Sequence, residues 1–139
     1  MIPLDECIFF QLAKVYQKAN RIVAERLVQY NLTPAQSLVI DALLIKDNIS
    51  SRELGEILIM DSASITGIVD RLEKGGFLRR ETHPNDRRAN SLVLTDKARA
   101  LEGVLDKIVK ESTSELFKNF SKEEEMTLRR LLLRLRENE

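Results

Sequence analysis

The chain has 139 residues, 43% of them hydrophobic and 32% charged, which suits one ordered, helix-rich domain and is too little for two. Lysine plus arginine number 22, as do aspartate plus glutamate, so affinity for a polyanion would have to come from a local patch, doubled in a dimer, and not from net charge. One cysteine excludes an internal disulfide framework, no apolar run nears the ~18 residues of a membrane span, and Asp5 and Glu6 stand where a signal peptide would be basic; a cytoplasmic protein without membrane association is expected.

From Leu4 to Tyr30, apolar residues recur in steps of three and four at Ile8, Leu12, Val15, Tyr16, Ala19, Ile22, Val23, Leu27 and Tyr30. This spacing predicts one long amphipathic helix, longer than its own domain can cover, so part of its apolar face is expected to meet another chain. Thr33-Pro34-Ala35-Gln36 is a helix start with a capping box, and the helix continues through Leu38, Val39, Ala42 and Leu43. Asn48-Ile49 is too short to be a strand unless a later hairpin pairs with it. Ser50-Ser51-Arg52-Glu53 opens the next helix with Leu54, Ile57 and Leu58 inward, and a turn at Ile59-Met60 leads to a helix from Asp61 to Lys74. Gly75-Gly76 ends that helix through glycine's access to the left-handed conformation.

Phe77–Thr82 and Ser91–Leu94 read as two short strands, with the turn formers of His83–Asn90 as the tip between them. Thr95 and Asp96 cap a helix running to about Leu116, with Ala98, Leu101, Val104, Leu105, Ile108 and Val109 as its stripe. Phe117 and Phe120 mark a bend, and Ser121–Glu124 caps a last helix whose Leu128, Leu131, Leu132 and Leu135 are spaced for a neighbouring helix. The fold class is mainly α with a small β-wing: a winged helix-turn-helix flanked by N- and C-terminal dimerisation helices. It divides into a winged part at 32–95 and a helical dimer part at 1–31 and 96–139.

The helix from Asp61 seats Ile65, Ile68, Val69 and Leu72 on the core and turns Ser62, Ser64, Thr66, Gly67 and Arg71 outward. A face so sparsely decorated can enter a major groove roughly 12 Å wide and bond to base edges and phosphates. A bland solvated helix start is the alternative. Arg71, Lys74, Arg79, Arg80, Arg87 and Arg88 outnumber Glu73, Glu81 and Asp86 in the same stretch, which places positive charge locally on a neutral chain. Arg87 and Arg88 at the hairpin tip suit a flanking minor groove, with Asp86 orienting Arg88, unless Asp86 and Arg88 are an ordinary surface ion pair.

Asp86-x-Arg88, then five residues and Leu94-Thr95, resembles the wing signature of the MarR family of bacterial winged-helix transcription regulators, and Leu72–Leu78 fits it as well. The resemblance covers essentially the whole chain in length and helix order. It implies a homodimer on a near-palindromic double-stranded DNA operator, most simply a repressor released by a small aromatic or anionic effector held between dimer layer and winged part. Phe9, Phe10, Tyr16 and Leu43 are candidates to line such a cleft. Cys7 loosely resembles the peroxide-sensing cysteine of some members, although Gln11 stands where a tyrosine is expected, Asp5 and Glu6 oppose a thiolate, and an inert thiol is the competing reading. A winged-helix protein-interaction module is a further alternative, motivated by the zero net charge. One histidine, His83, and one cysteine make no catalytic or metal constellation, so neither enzyme activity nor a cofactor is expected.

Overall fold

Most of the helices begin where a side chain satisfies amides that the first turn leaves free. Thr33 accepts from the Gln36 amide and Gln36 reaches back to the Thr33 amide, opening α2 (Pro34–Ile45). Ser50, Asp61, Thr95 and Ser121 cap α3 (Ser51–Leu58), α4 (Ser62–Lys74), α5 (Asp96–Arg99) and α7 (Lys122–Arg136) in the same manner, the last with a complete capping box. The other elements are α1 (Ile8–Leu27), β1 (Ile49–Ser50), β2 (Leu78–His83), β3 (Asp86–Leu94) and α6 (Glu102–Leu116). The computed structural model describes the backbone of residues 1–83 and 86–137, and the side chains of all of these except residues 83 and 86–89.

The core is built around α2. Val39, Ile40 and Leu43 are fully buried and are joined by Leu54 of α3, Ile65, Val69 and Leu72 of α4, Leu92 and Leu94 of β3, Leu27 of α1 and Leu105 of α6. Each such side chain contributes about 1.5–3 kcal/mol by leaving water. Ile57, expected inward, is exposed instead; Leu38 is exposed as well and shares its side of α2 with Ile45, seven residues on.

A three-stranded antiparallel sheet of order β1-β3-β2 lies against this core. The short extended piece is a strand because the hairpin lends it a partner: Ile49 pairs with Leu92 and Ser50 with Ser91. The hairpin is longer than the sequence suggested. Its ladder runs from Leu78 opposite Leu94 out to His83 opposite Asp86, with an irregularity between Thr82 and His83, so residues 86–90 are strand and not tip.

Two helices expected to be continuous are divided. The first becomes a 3-10 turn at Leu4–Glu6, then α1, then a second 3-10 turn at Val28–Tyr30, closed by Asn31 in the left-handed region at φ 57°, which asparagine tolerates. The helix after the wing breaks at Ala100–Leu101. There α5 is held to the sheet side, by the Thr95 hydroxyl on the Gly76 carbonyl (2.6 Å), Lys97 on the Gly75 carbonyl (2.7 Å) and Arg99 on Asp47. After the break, α6 packs on α1 instead, where Arg26 bonds Glu115 at 2.6 Å. Among the described residues no helix is long and apolar enough to cross a membrane.

Candidate nucleic-acid interface

The outward face of α4 is fixed from its first turn. Asp61 accepts from the Ser64 amide at 2.8 Å and from the Ser64 hydroxyl at 3.0 Å, and these bonds hold its carboxyl below the usual carboxylate range. Thr66 donates its hydroxyl to the Ser62 carbonyl at 2.8 Å. The hydroxyl protons of Ser64 and Thr66 are thereby used within the helix, and what these side chains offer outward is oxygen lone pairs. Such acceptors suit the exocyclic amino groups of adenine and cytosine in a major groove. Ser62 and Arg71 lie exposed beside them, and among the described residues Arg71 and Lys74 have no ion-pair partner.

Gly67 sits in the middle of this face. A glycine in a helix interior costs about 1 kcal/mol relative to alanine, so it calls for a reason. Packing gives none, because a Cβ built there meets nothing within 4 Å. An open backbone at this place leaves room for a surface to approach α4 closely. The two glycines that end α4 are different: Gly76 adopts φ 79°, while Gly75 is in the right-handed region and is glycine because a Cβ would stand 3.0 Å from the Phe77 ring. Only Gly76 therefore fills the left-handed role expected of both.

The positive charge is less abundant than the sequence count suggested. Arg80 forks onto Asp70 at 2.5 Å and Glu73 at 2.6 Å, and these carboxylates, Asp70 first, raise its pKa. This guanidinium is committed to bracing the hairpin against α4. Arg79 is paired with Glu81 at 2.8 Å. The side chains of Asp86, Arg87 and Arg88 lie outside the described residues, although their backbone continues β3.

A groove of about 740 Å³ runs between α3 and α4, floored by Gly55, Met60 and Ile65 and edged by Ser51, Arg52, Ser62 and Thr66. Sequence reasoning passed over Ser51 and Arg52. Their signal was their position: they open a capped helix immediately before α4, and Arg52 projects with 90% of its side chain exposed. Ile59, at the turn, is held in the left-handed region at φ 54° and is 76% exposed, a strained conformation for a β-branched residue.

Phe9, Phe10, Tyr16 and Leu43 are not brought together. Leu43 is fully buried in the core and cannot line an open cleft, Phe9 and Tyr16 are exposed on α1, and Phe10 lies half-buried with the Lys14 ammonium 5.4 Å from its ring centre. Cys7 is a half-buried free thiol at the N-terminal end of α1.

A protein-family model described as the MarR family matches residues 30–89. The multiple antibiotic resistance protein MarR of Escherichia coli is 32% identical over 133 residues, covering 95% of this chain and 90% of that one. This chain belongs to the MarR family. The HTH-type transcriptional regulator TtmR of Methylorubrum extorquens is 34% identical over 103 residues, 74% of this chain, and the match spans 53% of TtmR, about half its length. A crystal structure of a cysteine-to-serine mutant of E. coli MarR complexed with operator DNA superposes with a TM-score of 0.85 at 30% identity, over 90% of each chain. The relatives are described as transcriptional regulators, and the fold of this chain is the winged helix anticipated from its motifs.

Proposed function

We propose that the chain works as a homodimer that reads a near-palindromic DNA operator, each copy laying α4 in a major groove and its hairpin over the adjoining minor groove. Residues 32–95 form the reading part, and residues 1–31 and 96–139 the dimer part. Two copies about a twofold axis put half-site centres about 10 base pairs apart. Ser62, Ser64, Thr66 and Gly67 meet base edges, Arg71 reaches guanine or a phosphate, and Arg87 and Arg88 enter the minor groove with Asp86 orienting Arg88. The observation that carries this reading is Gly67, a helix-weakening residue at the centre of an exposed face where the chain itself leaves open space. The operator DNA bound by the similar E. coli MarR mutant supports the same assignment. A cytoplasmic location follows from that partner.

Regulation belongs to the layer between winged part and dimer part. A cleft of about 370 Å³ between α2 and α6 has Leu44, Ile45 and Val109 as apolar wall, and Asp41, Glu102 and Asp106 against a single Lys110. Burial and the neighbouring Asp106 raise the Asp41 pKa, the mark of carboxylates crowded at a partly dry site. An aromatic effector suits this wall better than an anionic one, and its binding releases the operator by favouring a different spacing of the two α4 helices. Selection of bound duplexes from a random pool tests the DNA reading. Enrichment of a twofold-symmetric site, with affinity that falls steeply with salt, is expected; no enrichment, or salt-insensitive binding, contradicts it.

A further inference from the structure

The polarity of the α4 face is dictated by the partners its hydroxyls already have. The Ser64 amide holds the Asp61 carboxyl below the usual carboxylate range, and an ionised carboxylate can only accept. The 3.0 Å bond between the Ser64 hydroxyl and Asp61 Oδ2 therefore takes the Ser64 proton. The Ser62 carbonyl can only accept as well, so the 2.8 Å bond from Thr66 takes the Thr66 proton. Ser64 and Thr66 are both exposed and stand on either side of Gly67 around the helix. Each turns outward an oxygen that accepts and has no proton left to donate. Between them the surface is bare, since Ala63 lies about one turn before Gly67 on the same side, and a Cβ at Gly67 has nothing within 4 Å.

In a duplex every base pair offers the major groove one exocyclic amino group, on adenine or on cytosine. One of its N–H bonds is spent on the pairing partner. The other points into the groove and is the donor that an accepting oxygen needs. Methylation of that nitrogen keeps the base pair and exchanges the groove-facing N–H for a methyl group. The oxygen then loses its hydrogen bond and meets hydrocarbon where a proton stood. A hydroxyl with a free proton would turn to the ring nitrogen or carbonyl beside the amino group, and these two hydroxyls have spent theirs inside the helix. We propose that α4 distinguishes free from methylated amino groups in the operator, Ser64 and Thr66 binding the free ones and being expelled by N6-methyladenine or N4-methylcytosine. Methylation on carbon, as in 5-methylcytosine, leaves the amino donor in place and is tolerated. This rests on the DNA reading above and adds a chemical state of the operator to its base sequence.

Fluorescence anisotropy of the full chain on the selected operator tests it. Each base pair of a half-site is changed in turn, in both half-sites together, with N6-methyladenine for adenine or N4-methylcytosine for cytosine, and 5-methylcytosine as the carbon-methylated control. At the pairs met by Ser64 or Thr66 the amino-methylated duplex is expected to bind at least tenfold more weakly, and 5-methylcytosine to change affinity less than about threefold. Ser64→Ala and Thr66→Ala remove an oxygen and leave room for the methyl group. The variant lacking the oxygen at a given pair should bind methylated and unmethylated duplexes within about threefold of each other. Far-UV circular dichroism confirms helix content; if an alanine variant loses helix, the scan of wild type alone decides. Equal binding of every amino-methylated duplex by wild type, or discrimination that persists in both alanine variants, overturns the proposal while the DNA reading stands. A 5-methylcytosine as damaging as N4-methylcytosine at the same pair overturns it in favour of simple crowding. A random pool that enriches no site overturns the DNA reading itself.

Discussion

Gly67→Ala separates the demands of the fold from those of the operator, because it moves the two in opposite directions. Replacing glycine inside a helix by alanine stabilises it by about 0.8–1 kcal/mol, mostly through the unfolded chain. Here the full gain is available, since the added Cβ has nothing within 4 Å to meet. For a domain of this size the gain corresponds to a rise in thermal midpoint of about 2–5 °C, read by circular dichroism at fixed protein concentration. If the bare backbone exists to let DNA come close, the new methyl group forces α4 outward and strains its contacts together. A loss of about 1–3 kcal/mol, roughly tenfold to a hundredfold in affinity, is expected in fluorescence anisotropy with the selected operator. A raised midpoint with unchanged operator affinity would refute the close approach. A lowered midpoint would show that some packing around residue 67 has been misjudged.

Four further outcomes are expected. Arg88→Ala weakens operator binding at least tenfold and reduces the salt slope by about 1, as loss of one cationic contact requires, whereas an identical salt titration removes the wing from the mechanism. Arg80→Ala strands Asp70 and Glu73 and lowers the urea midpoint by an amount equal to about 1 kcal/mol, discounted because both carboxylates are about half exposed; an unmoved midpoint means the fork carries no stability. The Ser91 hydroxyl is buried in β3 with no hydrogen-bond partner among the described residues, so Ser91→Ala should raise stability by about 1 kcal/mol, and a drop would reveal a partner for it. Asp61 has its folded pKa depressed by the Ser64 amide, so its cap supports α4 above the usual carboxylate range and is lost as pH falls through the lowered value. The protection factors of the amides at the start of α4, which remove the intrinsic pH dependence of exchange, should therefore fall on acidification in wild type and stay flat in Asp61→Asn.

The caps were the most legible part of the sequence. Thr33 with Gln36, Asp61 before the reading helix and Ser121 with Glu124 are local, obeying a three-residue spacing that no distant contact overrides. The hairpin was legible in existence and not in extent. His83–Asn90 is rich in turn formers, yet β3 takes Asp86–Asn90 into its ladder because pairing with β2 outweighs residue preference. Leu43 shows the opposite limit: an apolar residue at helical spacing is indistinguishable, in sequence, from a pocket wall until the core closes over it. Charge was the least legible. Arg80 counts as a free cation in the sequence, and only the fold discloses that Asp70, ten residues back and one helix away, already holds it.

That pairing also explains how a neutral chain can act on DNA through geometry. Arg80 ties β2 to Asp70 and Glu73 on α4, and Thr95 and Lys97 tie the start of α5 to the carbonyls of Gly76 and Gly75 at the end of α4. Lys97 also stands 4.4 Å from the centre of the Phe77 ring, closing the same junction from its apolar side. Reading helix, hairpin and α5 are thus braced as one body, and the first break in the chain after them is at Ala100–Leu101, where α6 begins. On the function proposed above, a change within the helical layer would reach the operator by moving that whole body, altering the distance between the two α4 helices of a dimer and not the shape of either. Spacing against a fixed half-site separation is a steep discriminator, because a rigid head displaced from its groove loses its base contacts together.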